Sequence, residues 1–425
     1  MLRIPIYYSI FILLPLLLPL SVSWPVLVAD NGHDSKQHTA MTYQVPFQSP
    51  QLNHSTPFTE PWLHRLEHLY KTFGQQQGMQ QLLADQQCAY SLPDFDCEPY
   101  DSDDGLRERD AFHLRPQDIQ LMISLGDSIT AGFGMMSGRP PFASVWEYRG
   151  KVFSIGGDPD EEYTLPAFWS SYSDPSGPSH GVTLPLARGK QLNNAVSGAK
   201  AQDLDLQVTR LVQQLQTPDY IENKDAWKVI TLFIGANNVC VLCTPPITQL
   251  PDMAEVDVFE THVRLAVERL RNEVGHAFVN LVALFNVSSV YEAARGNPYC
   301  EMVLDPSHMV VCSCLQSDER KRQAADLVVK GYNERLDIIA QDYQNLHDPH
   351  FAVFYQPGFK FFPVGKYKQR YLSGIDCFHP NRCANQVMAT VLWNNMFSSR
   401  EEKFQPYHVS NLTFKCPGTQ HPYLR

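Results

Sequence analysis

Residues 119–128 read IQLMISLGDS, a mostly apolar run that passes without a break into Gly126-Asp127-Ser128. A short continuous apolar run suits a strand buried on both faces, as in a parallel sheet. Three more runs share this character, 227–234 (WKVITLFI), 278–285 (FVNLVALF) and 351–355 (FAVFY), and a shorter one leads into Asn193 and Asn194. Between and after them lie stretches whose apolar residues recur at helical spacing, 203–216, 256–274, 318–343 and 385–396. Strand then helix, repeated, predicts an α/β fold: a doubly wound parallel sheet with helices on both faces. Binding sites in such sheets lie at the carboxyl ends of the strands, where Ser128 falls.

The rest of the composition bounds the answer. Of 425 residues 44% are hydrophobic and 11% aromatic, enough for a substantial core. A formal net charge of -11, without a basic stripe interleaved with aromatics, argues against nucleic acid as a partner. It also argues against broad adsorption to anionic lipid. Lys360, Lys366, Lys368 and Arg370 are a local basic patch that either touches head groups or is a solvated loop. Arg3, an apolar run from Ile4 to Leu20, and Ser21-Val22-Ser23 have the layout of a secretory signal. The run is also near the ~17–25 residues that span a bilayer, so an uncleaved anchor is the rival reading. No other segment is long and apolar enough to span.

The expected organisation is a signal peptide over 1–23, a leader over 24–110, and one large domain over 111–425. The leader holds a helical stretch at 61–87 and an acidic, cysteine-containing loop. Ten cysteines in a secreted chain read as disulfides. Their pairing is not readable, although a Cys377–Cys383 bridge would brace the loop carrying His379. Cys240 and Cys243 form a lone CxxC, better read as structural than as half of a zinc site. Sequons at Asn53, Asn286 and Asn411 fit the same route. The stretch 358–371 (GFKFFPVGKYKQRY) is either a substrate-facing flap or a loop whose Phe361 and Phe362 plug the core.

Four blocks carry chemistry. A serine hydroxyl is a weak nucleophile until a base removes its proton, so it needs a tight exposed turn of the kind Gly126-Asp127-Ser128 offers. The competing role for Ser128 is a helix N-cap. Asp376-Cys377-Phe378-His379 places a carboxylate three residues before an imidazole, the pair that can take that proton and steady the charge that results. Asn193–Ala199 (NNAVSGA) ends near Gly198, whose amide can face a developing oxyanion, and Gly235-Ala236-Asn237-Asn238 follows a strand with a neutral side-chain donor. Each alone has an ordinary explanation as a turn or cap; their order, each at a strand end, points to nucleophilic ester chemistry.

These blocks, GDS, NAVSG, GANN and DCFH, resemble those of the GDSL or SGNH hydrolases, closest to a phospholipase B-like branch. LRPQDIQLMISLGDSITAG, EYRGKVFSIGGD, NNAVSGAKAQDL, WKVITLFIGANNVC, DCFHP and VLWNNMF are all similar to that branch, over about residues 110–425. The resemblance implies a three-layer, flavodoxin-like SGNH hydrolase fold and ester hydrolysis without metal or other cofactor. It makes Ser128 the nucleophile, Asp376 and His379 the acid and base, and Gly198 and Asn237 the oxyanion donors. The implied substrate is a phospholipid or lysophospholipid, met through transient contact with a membrane or lipid aggregate. Other esters, or an inactive lipid-binding role on the same fold, are the alternatives. Where the family usually has Asp after the third-block Asn, this chain has Asn238, which predicts altered support of that loop.

Overall fold

The computed structural model describes residues 88, 90–99, 108–136, 146–185, 191–243, 251–304, 312–315, 319–418 and 421–425. The expected signal peptide, the helical stretch at 61–87 and the sequon at Asn53 lie outside the described residues.

The elements run β1 Leu121–Gly126, α1 Ser128–Ala131, α2 Leu165–Trp169, α3 Leu204–Leu215, β2 Lys228–Phe233, α4 Ala236–Val241, α5 Val256–Arg269, β3 Ala277–Val282, α6 Val287–Ala294, α7 Pro298–Val303, α8 Glu319–Asn345, β4 Phe351–Gln356 and α9 Arg382–Met396. All four strands are parallel and adjacent in chain order, with Leu121 opposite Lys228, Ala277 opposite Lys228, and Ala277 opposite Phe351. Every residue of β1, β2 and β3 is buried, which is why these strands read as mostly apolar runs.

The run before Asn193 contributes a single parallel bridge, Ser124 with Asn193, on the free side of β1. The chain leaves β1 in that direction and then returns across it to β2, so the winding reverses at β1. With right-handed crossovers, that reversal puts the helices of the two directions on opposite faces. Accordingly α3 packs on α5 and α5 on α8 as one layer, while α9 packs on α2 and β4 as the other. The fold is a three-layer, doubly wound α/β structure. Its crevice opens at the carboxyl end of β1.

The 27-residue α8 buries Ala325, Val329, Tyr332, Leu336 and Ile339 at three- and four-residue steps. The predicted helix over 256–274 is α-helical to Arg269 and finishes as a π turn, Leu270–Val274. The stretch 358–371 is packed as two 3-10 turns, with Phe359 and Phe362 in the core and Lys360, Lys366 and Arg370 exposed. Phe359, rather than Phe361, is the second plug, set against Phe153 and Phe233. Met135 is a core residue too.

Five disulfides join Cys88–Cys383, Cys97–Cys416, Cys240–Cys312, Cys243–Cys314 and Cys300–Cys377. The bridge expected between Cys377 and Cys383 does not form. Cys377 sits on the loop before α9 and meets α7, whereas Cys383, inside α9, meets Cys88 near the start of the described residues. The CxxC cysteines likewise bridge outward, to Cys312 and Cys314. Between Cys88 and Cys97 the chain is anchored by Phe95, whose ring packs on Phe168, Trp393 and Phe414 at 4.9–5.1 Å. Such a set of bridges belongs to a chain that folds in an oxidising compartment. No helix among the described residues is long and apolar enough to cross a membrane.

Candidate active site

β1 delivers Gly126 beneath α1. A Cβ on Gly126 would stand 2.4 Å from the Phe233 carbonyl and 2.6 Å from Thr130 Oγ1, so only glycine allows β1 to turn here against β2. The buried Gln207 of α3 brackets this residue, accepting from its N–H at 2.9 Å and donating to its carbonyl at 2.8 Å. The N-cap of α1 is Asp127, whose Oδ1 accepts from Ile129 N at 3.0 Å. Capping is therefore done by the residue before the serine, which leaves the Ser128 hydroxyl free for another partner.

That partner is His379. The distance from His379 Nε2 to Ser128 Oγ is 2.7 Å across a sequence separation of 251. On the other side of the ring, Nδ1 lies 2.6 Å from Asp376 Oδ2. Asp376 Oδ1 accepts from the N–H groups of Phe378 at 2.9 Å and His379 at 3.0 Å. One carboxylate oxygen is thus taken by backbone donors and the other faces the imidazole, which fixes the tautomer with the proton on Nδ1 and a lone pair on Nε2.

The loop is held from several directions. Ser373 Oγ donates to the Gly134 carbonyl at 2.7 Å, Tyr299 Oη donates to the Ile375 carbonyl at 2.6 Å, and Cys377 is bridged to α7. Phe133 and Phe378 flank the ring with centroids 4.9 and 5.1 Å away.

Gly198 and Asn237 come together from different elements. Asn237 is the second residue of α4, and its Nδ2 donates to the carbonyl of Ala199, next to Gly198, at 2.9 Å. The loop before Gly198 is tied to the serine turn, since Val196 N donates to the Gly126 carbonyl at 3.1 Å and Asn193 Nδ2 to the Thr130 carbonyl at 3.0 Å. Asn238 is fully buried and fully used. Its Oδ1 accepts from Ala201 N at 2.9 Å, while Nδ2 donates to Gln202 Oε1 at 2.9 Å and to the Met253 carbonyl at 2.8 Å. A carboxylate there would set an acceptor against the Met253 carbonyl; in this chain the amide is the side chain that fits.

Serine, imidazole and carboxylate thus stand in a hydrogen-bonded series, with Asn237 held against the loop that carries Gly198. The family model described as GDSL-like Lipase/Acylhydrolase matches residues 122–392. The chain belongs to the GDSL lipase/acylhydrolase family. As such a hydrolase it is 32% identical over 324 residues to "Phospholipase B1, membrane-associated" of Homo sapiens, and 32% over 327 residues to that of Mus musculus. Each match covers 73% of this chain and 21% of the relative, so the chain spans about a fifth of the length of these curated relatives. Among solved structures, phospholipase A1 from Streptomyces albidoflavus NA297 aligns with a TM-score of 0.34 and 15% identity, over 64% of this chain and 98% of that one.

One carboxyl in this GDSL hydrolase has no counterpart in the chemistry above. Asp127 is fully buried, and among the described residues its Oδ2 has no hydrogen-bond partner. Burial pushes its pKa up to about 7, against the opposing pull of the Ile129 N–H and the nearby His379. A carboxyl that holds its proton more tightly when folded stabilises the fold below the unfolded pKa, and that contribution fades as pH climbs to the folded value. Asp127→Asn removes the titration while keeping an oxygen for Ile129. Relative to wild type it is expected to gain on the order of 4 kcal/mol between about pH 4 and pH 8. Urea unfolding at the two pH values measures this; an unchanged difference contradicts it.

Sequence reading does not single out Gln207. Its signal was present, since it is a polar residue on the buried stripe formed by Leu204, Val208, Leu211 and Leu215. The same holds for Asn333 on α8, which accepts from Leu284 N and donates to the Leu284 carbonyl, both at 2.8 Å. In each case a side-chain amide brackets one residue at or just past a strand end.

Proposed function

We propose that this chain is a secreted serine ester hydrolase that cleaves phospholipids or lysophospholipids through an acyl-enzyme intermediate. Ser128 is the nucleophile, His379 the base, Asp376 the residue that orients and steadies it, and Gly198 and Asn237, with the Ser128 amide, the oxyanion donors. The observation that carries the reading is the continuous chain of hydrogen bonds from Ser128 Oγ through His379 to Asp376, at 2.7 and 2.6 Å. In the first step Oγ attacks the ester carbonyl while Nε2 takes its proton; the alcohol leaves with that proton, and a water repeats the sequence on the acyl-enzyme.

A lipid substrate is supported by apolar side chains around these residues, among them Phe233, Ala236, Leu284 and Phe378. The similarity to phospholipase B1 supports the same class, and the signal-like segment with five disulfides supports secretion.

The test is incubation of the purified protein with a phosphatidylcholine bearing two different acyl chains, with lysophosphatidylcholine, and with a short-chain ester, products identified by mass. Release of long-chain fatty acid from the first two is expected. Cleavage of the short-chain ester alone would make the chain a carboxylesterase for other substrates, and cleavage of none would make it a binding protein.

A further inference from the structure

Between the two halves of the site lies the segment 146–149, which touches both. Its backbone holds the turn after Ser128, because Gly134 N donates to the Trp146 carbonyl and Tyr148 N to the Gly132 carbonyl, each at 2.9 Å. The approach is so close that a Cβ on Gly132, where φ is +76°, would stand 2.7 Å from the Tyr148 carbonyl. Its side chains hold the loop that leads to Gly198. Arg149 Nη1 donates to the Asn193 carbonyl and Nη2 to the Ala195 carbonyl, both at 3.0 Å. Arg149 Nε and Nη2 also donate to Glu147 Oε2, at 2.9 and 2.7 Å, while Glu147 Oε1 accepts from Ser197 Oγ at 2.5 Å. Glu147 and Arg149 are 0% and 3% exposed.

A buried ion pair contributes little net stability, because removing two charges from water costs about as much as their attraction returns. Geometry is what such a pair does supply, since the guanidinium fork donates along fixed directions. Here the fork and its carboxylate grip residues 193, 195 and 197, the three alternate residues before Gly198.

We propose that Glu147 and Arg149 are positioning residues for oxyanion stabilisation: they fix the backbone that aims the Gly198 amide and lock it to the turn presenting Ser128. This rests on the roles of Ser128 and Gly198 given above. Neither side chain takes part in proton transfer, so the effect of altering them belongs to the transition state rather than to substrate binding or the pH profile.

The test uses Arg149→Lys, which keeps the charge but loses the fork, and Ser197→Ala, which removes only the hydroxyl held by Glu147. Activity on a soluble short-chain ester is expressed per active site, the sites being counted by titration with a fluorophosphonate. Arg149→Lys is expected to lower kcat per site by about 10–100-fold and to weaken a reversible trifluoromethyl ketone by a similar factor. KM should stay within about threefold and the pH profile should not move. Ser197→Ala should lower kcat per site by about fivefold, and it decides the matter alone if Arg149→Lys does not fold. Wild-type kcat per site in both, with any loss explained by fewer titratable sites, overturns the proposal. Full activity in Ser128→Ala would instead overturn the reading on which it rests.

Discussion

Ser128→Ala is expected to lower kcat for ester cleavage by roughly a millionfold, to the level left by the donors and binding alone. The change removes one oxygen atom whose partner is His379 Nε2, and the capping of α1 by Asp127 is untouched. Folding should therefore persist, with a melting temperature within a few degrees of wild type, as for a substitution that opens no core cavity. Because Ser128 and His379 act as one unit, Ser128→Ala with His379→Ala should be no worse than either alone. Steady-state assays on the three variants, beside their thermal melts, measure both halves of this expectation. Additive losses would mean that the two side chains do not share a step.

Asp376→Asn is expected to cost about ten-thousandfold in kcat with the geometry of the loop preserved. Oδ1 already accepts two backbone N–H groups, from Phe378 and His379, so the asparagine oxygen must take that place. Its NH2 then faces His379 Nδ1, where a carboxylate oxygen stood at 2.6 Å. An amide hydrogen pointing at Nδ1 requires a lone pair there, so the ring proton moves to Nε2, and Nε2 can no longer accept the serine proton. Kinetics of Asp376→Asn and Asp376→Ala compared over a pH range test this tautomer argument. A loss of tenfold or less in the asparagine variant would contradict it.

Much of this site is legible in the sequence because its parts are local. The four strands announce themselves as apolar runs because both faces of the sheet are covered. Asp376 and His379 fall on one loop, so their spacing in sequence is their spacing in space. Ser128 is legible as the residue after a buried strand, although its second possible role, capping a helix, falls to Asp127 instead.

What stayed illegible depends on tertiary contact. Cys377 and Cys383 are six positions apart and look like partners, yet packing gives each a partner distant in sequence, Cys300 and Cys88. Gln207 and Asn333 are polar residues on buried stripes, and which peptide each brackets is decided by packing. Glu147 and Arg149 stand in the segment EYRGKVFSIGGD, and only the fold reveals that both are buried and paired. The strand at Asn193 is reduced to a single bridge because the chain turns at once into the loop that leads to Gly198.

The central claim is that one hydroxyl in this protein is made nucleophilic by one imidazole. Treating the purified protein with a fluorophosphonate, digesting it and locating the adduct by mass spectrometry tests that most directly. The account predicts a single adduct on Ser128, lost in His379→Ala. An adduct on another residue, or none on wild-type protein that is folded, would contradict it.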